Sequence, residues 1–268
     1  MTTIASWLAD HSDLERIDAE LLLMDTLTLS RAALITRHDQ PLDDATIAQL
    51  ATGAARLRSG EPMAYLRGRK EFWGLELAVD HRVLVPRPDT ELIVELCLDR
   101  AKPNACVLDL GTGSGAIAIA VKSERPDLEV HASDRSTEAL EVAQRNAQTL
   151  GAEIQFHQAD WFQGLGVTPD LVVTNPPYVR TADPALANLR FEPQAALVSG
   201  PDGLDDIRLI VADGAQRQVP LLLVEHGHDQ GEAVRALAHA AGYADTDTHR
   251  DLAGLERVTI ASARNAMR

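Results

Sequence analysis

The segment Asp170–Val179 reads DLVVTNPPYV: an apolar, β-branched run that stops at Asn175, Pro176, Pro177 and Tyr178. Leu171 to Thr174 has the composition of a buried strand. One proline would end it, since proline brings no N–H to a ladder. Two in succession do more. Pro176 holds Asn175 extended, and each proline fixes its own φ. The side-chain oxygen of Asn175 and the backbone oxygen of Pro176 then become two acceptors in fixed relation. Two fixed acceptors suit an NH₂ group whose lone pair is delocalised, as in an amide or an aromatic amine. With both N–H bonds directed into acceptors, the lone pair can localise toward an electrophile, so the rate comes from orientation and preorganised dipoles without a tuned side-chain base. Tyr178 offers a flat face to the planar group. An Asn-Pro turn at a strand end is common; the four-residue combination is not.

A second constellation lies upstream. In LDLGTGSGAIAIA, Asp109 ends a strand and Gly111, Gly113 and Gly115 occupy the turn into a helix. Glycines there allow positive φ and close approach of a ligand to the backbone. Asp134 ends the next strand, 19 residues after Gly115, where a carboxylate can accept ribose hydroxyls. Gly111, Gly113 and Ala116 also satisfy the G-x-G-x-x-G/A dinucleotide pattern, so the loop indicates a nucleoside cofactor without saying which. Asp160 and Trp161 follow a third strand at the same sheet edge and can border an adenine ring. With Asn175 beside the glycine loop, the methyl of S-adenosylmethionine is the electrophile that an NH₂-orienting site calls for.

These residues require a frame. From Ala105 strands and helices alternate: ACVLDL, AIAIAVKSE, LEVHASD, STEALEVAQRNAQTL, EIQFHQAD, DLVVTN, PLLLVEHG, GEAVRALAHAAG and ERVTIASA. Such alternation predicts an α/β, doubly wound, mainly parallel sheet, with ligands outside the carboxyl ends of its strands. Before it, residues 1–66 read as short helices. Leu14, Ile17, Leu21 and Met24 are expected on one face, and Asp43 or Asp44 caps a helix that ends near Gly60. EFWGLELAVD predicts a hairpin around Gly74, with Phe72 and Trp73 in its core, and a helix runs from Asp89 to about Arg100. The proline-rich joint Val83–Pro88 marks the expected boundary, giving an N-terminal helical domain with hairpin linker over 1–84 and a catalytic domain over 85–268.

The chain has 268 residues and a formal net charge of −15. Residues 1–84 carry 9 basic and 13 acidic side chains, residues 85–268 carry 16 and 27, and no basic run provides the phosphate neutralisation of a duplex binder. No apolar run approaches a membrane span, and MTTIASWLADHSD has no secretory pattern. Two cysteines, Cys97 and Cys106, are too few for a disulfide framework or a zinc site built on cysteine, and no metal is expected from the histidine spacing. A cytoplasmic protein is expected.

GEPMAYLRGRKEFWG, VLVPRPDTE, DLGTGSGAIA, NPPYV, RFEPQAAL, LLLVEHG and DLAGLERV, in this order, resemble the PrmC/HemK family of protein-(glutamine-N5) methyltransferases that modify peptide chain release factors. The likeness runs nearly the whole chain, although NPPY alone is shared with DNA and RNA amino-methyltransferases. The resemblance implies a class I S-adenosylmethionine-dependent methyltransferase fold with seven strands, preceded by a small helical bundle that helps hold the release factor. It implies methylation of the Gly-Gly-Gln glutamine on its amide nitrogen, with class I release factors as partners; a monomer with no direct nucleic-acid or membrane partner is expected. Carried over by position, Asp109, Gly111, Thr112, Gly113, Ser114, Gly115 and Asp134 hold the cofactor, with Asp160, Trp161 and Asn175 beside it. Asn175, Pro176, Pro177 and Tyr178 hold the glutamine, and Arg87 and Glu91 line the same cleft. Glu225, His226 and Gly227 are expected to give structural support. Glutamine methylation of a ribosomal protein and adenine amino-methylation of DNA or RNA are the alternatives.

Overall fold

Thr3 begins the first helix by reciprocal capping: its hydroxyl accepts the Ser6 N–H, and the Ser6 hydroxyl accepts the Thr3 N–H, satisfying two groups a helix leaves orphaned. The computed structural model describes residues 1–264. Their contacts divide the described residues into two units, one of residues 1–68 with 188–191 and one of residues 69–187 with 192–264. The first unit thus ends before the hairpin.

That unit contains helices α1 (Ile4–Asp10), α2 (Arg16–Leu27), α3 (Arg31–Thr36), α4 (Asp44–Arg58) and α5 (Met63–Arg67). Asp43 caps α4 by accepting the Thr46 N–H at 2.7 Å. Ile4, Trp7, Leu23, Leu34, Leu50 and Ala54 form the core. Of the expected face, Leu14, Leu21 and Met24 pack partly buried against this core, whereas Ile17 is corrected: it is 58% exposed, and Ala19, Leu22 and Leu23 are the buried residues of α2. The reason is local. Helix α2 begins only at Arg16, and its tight approach to α4 is fixed by Leu22, whose Cδ1 would lie 2.6 Å from a Cβ placed on Gly53.

The second unit opens with the antiparallel hairpin β1 (Arg69–Phe72) and β2 (Leu75–Ala78). Trp73 and Gly74 both have positive φ, 55° and 71°, the signature of a type I′ turn. A 3₁₀ turn at Pro88–Thr90 leads into α6 (Glu91–Arg100), followed by β3 (Cys106–Leu110), α7 (Ala116–Glu124), β4 (Glu129–Asp134), α8 (Thr137–Leu150), β5 (Gln155–Gln158) and β6 (Leu171–Thr174). Then come α9 (Asp205–Gln216), β7 (Leu221–Glu225), α10 (Gly231–Ala241), β8 (Asp245–Arg250) and β9 (Glu256–Ser262).

The seven-stranded sheet has the order β5-β4-β3-β6-β7-β9-β8. It is parallel through β7 and antiparallel at its last two pairings. Alternate side chains feed two cores: Val107, Val130 and Val173 on one face with α6 and α7, Leu108, Val172 and Leu222 on the other with Ile207, Ile210 and Val234. Helix α9 and strand β8 were not foreseen. Strand β8 reads DTDTHR and sits at the sheet edge, so it carries no apolar run to signal it. The chain winds outward from β3 to β5, then returns to place β6 on the other side of β3. This reversal opens a crevice at the carboxyl ends of β3 and β6, the switch point where open α/β sheets bind ligands.

Candidate active site

The glycine loop leaves β3 under backbone control. Gly111 and Thr112 donate their N–H groups to the Ser133 carbonyl at 2.8 and 2.9 Å. Asp134, at the end of β4, accepts the Gly113 N–H on Oδ2 at 3.0 Å and the Ser136 N–H on Oδ1 at 2.9 Å. Burial raises the Asp134 carboxyl above its usual range, and the two N–H donors oppose the rise. Both donors hold the carboxylate still while leaving lone pairs for further donors.

Beside them lies a cavity of about 230 Å³, lined by Gly111, Gly113, Asp134, Asp160, Trp161, Asn175 and Pro177 among others. Seven site residues foreseen from sequence therefore meet there. The sequence reading missed the segment His81–Leu84 and Arg135, Pro193, Ala195 and Ala196, which also line it. Gly111 is required for a spatial reason: a Cβ on it would lie 3.1 Å from the Trp161 ring. That ring is held by its indole N–H, which donates to Asp206 at 3.2 Å.

The remaining site candidates stand outside the cavity lining. Asp109 is fully buried; its Oδ2 accepts the Thr112 hydroxyl at 2.6 Å. Burial pushes its carboxyl up to about 7, opposed by Thr112 and a backbone donor. The Ser114 carbonyl accepts from Asn146, whose amide also bonds both the N–H and the carbonyl of Ala78. Gly115 is the left-handed residue before α7, packed against Ile119 and Ala143. Arg87 pairs with Glu192, a buried carboxylate that also accepts the Val85 N–H at 2.9 Å. Glu91 accepts the Trp73 N–H at 2.9 Å and so ties α6 to the hairpin turn.

Asn175 follows β6, and its Nδ2 donates to the Thr90 hydroxyl at 3.0 Å. That bond assigns the amide nitrogen to Thr90 and leaves the amide oxygen for a donor from outside. Pro176 is buried, and the Tyr178 hydroxyl donates to Glu225 at 3.4 Å. Burial, then the nearby Glu225 charge, pushes the tyrosine well above its ordinary range. The sequence reading missed Thr90; its place in PDTE, between a proline turn and a helix, signals only a helix start.

At the opposite end of the strands, Cys106, Glu129 and His131 bring ligand-type atoms within 4.8 Å of one another. His131 is engaged on both ring nitrogens, with His157 at 2.9 Å and Glu129 at 3.1 Å. Neither histidine spacing nor cysteine count revealed this group, because neighbouring strands assemble it.

Two family models match, the PrmC N-terminal domain over residues 2–68 and the methyltransferase small domain over residues 88–200. The release factor glutamine methyltransferase of Burkholderia pseudomallei is 48% identical over 95% of this chain and 94% of its own length. The chain belongs to the release factor glutamine methyltransferase family. Two further members of that family bear this out: the Salmonella typhimurium protein is 46% identical over 92% of each chain, and the Escherichia coli protein 45% identical over 93% of this chain and 92% of its own. Among solved structures, the E. cuniculi Mtq2-Trm112 complex, described as responsible for methylating the termination factor eRF1, aligns with a TM-score of 0.51 and 23% identity over 68% of this chain and 99% of that chain. The Thermus thermophilus 16S rRNA guanosine methyltransferase RsmC, solved with S-adenosylmethionine, aligns at 0.55 and 19% over 73% and 50%. At these identities the two structures speak for the fold: a class I methyltransferase sheet. Membership makes the chain a methyltransferase.

Proposed function

We propose that this enzyme transfers the methyl group of S-adenosylmethionine to the side-chain amide nitrogen of the glutamine in the Gly-Gly-Gln motif of class I peptide chain release factors. The observation that carries the reading is the orientation of Asn175. With Nδ2 given to Thr90, Oδ1 is the free end, and it joins the Pro176 carbonyl as the pair of acceptors an NH₂ group needs.

The cavity residues suit the cofactor. Asp134 has carboxylate lone pairs for ribose hydroxyls, Gly111 and Gly113 keep the loop free of side chains, and Trp161 provides an aromatic wall. Bound there, S-adenosylmethionine supplies an electrophilic methyl on a sulfonium. The chain's own part is positional. Asn175 Oδ1 and the Pro176 carbonyl accept the two amide N–H bonds, and Tyr178 faces the planar group. The nitrogen lone pair is thereby aimed at the methyl carbon. Transfer would form the N–C bond as the S–C bond breaks, the sulfur keeping that electron pair as a neutral thioether and the amide proton passing to water, so the part of Asn175 and Pro176 is orientation and no tuned base is required beforehand. Asp109, Thr112, Ser114 and Gly115 support the cofactor loop from behind, and Arg87 and Glu91 support the segment leading to Thr90.

The helical unit is proposed to help hold the release factor, with the enzyme acting as a monomer in the cytoplasm; among the described residues no helix is long and apolar enough to cross a membrane. The net charge of −15 disfavours a nucleic-acid substrate. Peptide mass spectrometry of unmodified release factor incubated with the enzyme and S-adenosylmethionine tests the reading. One added methyl on the Gly-Gly-Gln glutamine, absent with Asn175→Ala, supports it. An unmodified glutamine despite intact cofactor binding refutes it.

A further inference from the structure

The Asn175 amide works only if its oxygen, not its nitrogen, faces the substrate. The two ends of a side-chain amide are nearly the same size, so packing alone discriminates weakly between them. Discrimination must come from hydrogen-bond polarity. Thr90 supplies it, because its hydroxyl receives Nδ2 at 3.0 Å. A hydroxyl both donates and accepts, so it selects the amide nitrogen only if its own proton is drawn elsewhere.

Glu225 stands beside this pair: Thr174 pairs with Val224 on the neighbouring strand, so Asn175 and Glu225 follow β6 and end β7 side by side, and no hydrogen bond yet joins Thr90 to Glu225 among the described residues. This carboxylate, at the end of β7, is 1% exposed. Its Oε1 accepts the Tyr178 hydroxyl at 3.4 Å, and its Oε2 has no hydrogen-bond partner among the described residues. Burial pushes the carboxyl up to about 7, and the Thr90 hydroxyl is the first of the groups opposing that rise, ahead of Arg257. A buried carboxylate oxygen lacking a donor is costly. A hydroxyl proton beside it is the natural remedy, and a hydroxyl rotor turns freely to provide it.

We propose that Thr90 and Glu225 form a buried positioning relay that sets the polarity of Asn175: the Thr90 O–H donates to Glu225, its oxygen accepts Nδ2, and Oδ1 is thereby held toward the substrate amide. The relay rests on the assignment of Asn175 as the substrate's acceptor. It also gives Tyr178 a second link to the same carboxylate, so the asparagine and the tyrosine of the bracket are both tied to Glu225 from behind. The charged and titratable groups facing Glu225 are Asp89 beside Thr90, Tyr178 after β6 and Arg257 on β9. Arg257 is itself paired with Asp89 and Asp251. Protonated Glu225 no longer draws the Thr90 proton as a carboxylate does, and the bias on Asn175 weakens.

Thr90→Val keeps the shape and removes the hydroxyl; Thr90→Ser keeps the hydroxyl. The expected result is a fall in kcat of about tenfold in Thr90→Val, with cofactor affinity unchanged and the rate largely restored in Thr90→Ser. In ¹⁵N-labelled enzyme without cofactor or substrate, the Asn175 side-chain NH₂ resonance, assigned by its loss in Asn175→Ala, shifts in Thr90→Val and stays in place in Thr90→Ser. Should Thr90→Val fold poorly, Glu225→Gln provides the second arm. The wild-type rate rises with pH as Glu225 ionises in the neutral range, and that step disappears in Glu225→Gln. A Thr90→Val enzyme with wild-type kcat and an unmoved NH₂ resonance overturns the relay, as does an unaltered pH profile in Glu225→Gln. If Asn175→Ala itself remains fully active, it is the acceptor assignment that fails, and the two failures are told apart.

Discussion

The three glycines of the loop after β3 carry different duties, and substituting them separately exposes the difference. All have positive φ: 72° at Gly111, 56° at Gly113 and 84° at Gly115. An alanine in that region costs roughly 1–2 kcal/mol from backbone strain alone. At Gly113 nothing lies within 4 Å of an added Cβ, so Gly113→Ala pays only the strain. At Gly115 the added Cβ would lie 2.9 Å from Ile119 Cδ1, 3.2 Å from Ala143 Cβ and 3.4 Å from Ala143 Cα. The Ile119 methyl can swing aside, but the two Ala143 atoms are the body of α8, which must shift. Overpacking of this kind adds about 1–3 kcal/mol, so Gly115→Ala is expected to lose roughly 2–5 kcal/mol in total.

Urea unfolding followed by tryptophan fluorescence measures this, since Trp73 and Trp161 belong to the second unit. With a slope of about 1–3 kcal/mol per molar urea, the Gly115→Ala midpoint falls by about a molar or more, well below that of Gly113→Ala. Calorimetric titration with S-adenosylmethionine should rank the pair in reverse. Gly113 lines the cavity and Gly115 does not, so Gly113→Ala weakens binding more than Gly115→Ala measured under folding conditions. Equal urea midpoints for the two variants would show that α8 does not press on Gly115 as described, and the division of labour in the loop would be wrong.

Asn146→Ala removes the amide that bonds Ala78 at 2.8 and 3.0 Å and Ser114 at 2.9 Å; with the groups left behind partly buried, a loss of about 2–4 kcal/mol is expected in the same urea assay. Asp109 has a folded-state pKa raised from 3.8 to about 7. Below pH 4 it is protonated whether folded or not; as pH climbs toward 7 the unfolded chain ionises first, so stability is lost across that window. The sum is on the order of a few kcal/mol, and Asp109→Asn, which cannot ionise, should flatten the decline when urea midpoints are compared from pH 4 to 8.

The placement of much of the candidate site was legible because local chain order alone positions its residues. Asp134 ends a strand and turns to the neighbouring glycine loop; Asn175 ends another and is stiffened by the proline that follows it. Strand end, residue type and local order suffice for both. The sheet was legible for a similar reason, since six of its strands have apolar or alternating runs. Strand β8 was not, because an edge strand paired on one side can be polar throughout, as Asp245–Arg250 is.

What escaped the sequence are the residues that support those groups from behind. Thr90 reaches Asn175 across 85 positions, Glu192 reaches Val85 across 107, and Asn146 reaches Ala78 across 68. Each is an ordinary polar residue in an ordinary local setting, a helix start, a loop or the middle of an amphipathic helix. Their importance comes from burial, which converts a modest hydrogen bond into one that is expensive to leave unmade, and burial belongs to the fold rather than to the neighbouring letters. The asymmetry has a consequence for chemistry by orientation. An active site that relies on a tuned acid or base advertises it by residue type. One that relies on the direction of two carbonyl oxygens, as proposed for Asn175 and Pro176, must be held by polar groups outside its own motif, and the pairs Thr90–Asn175 and Tyr178–Glu225 are joined only in the folded structure.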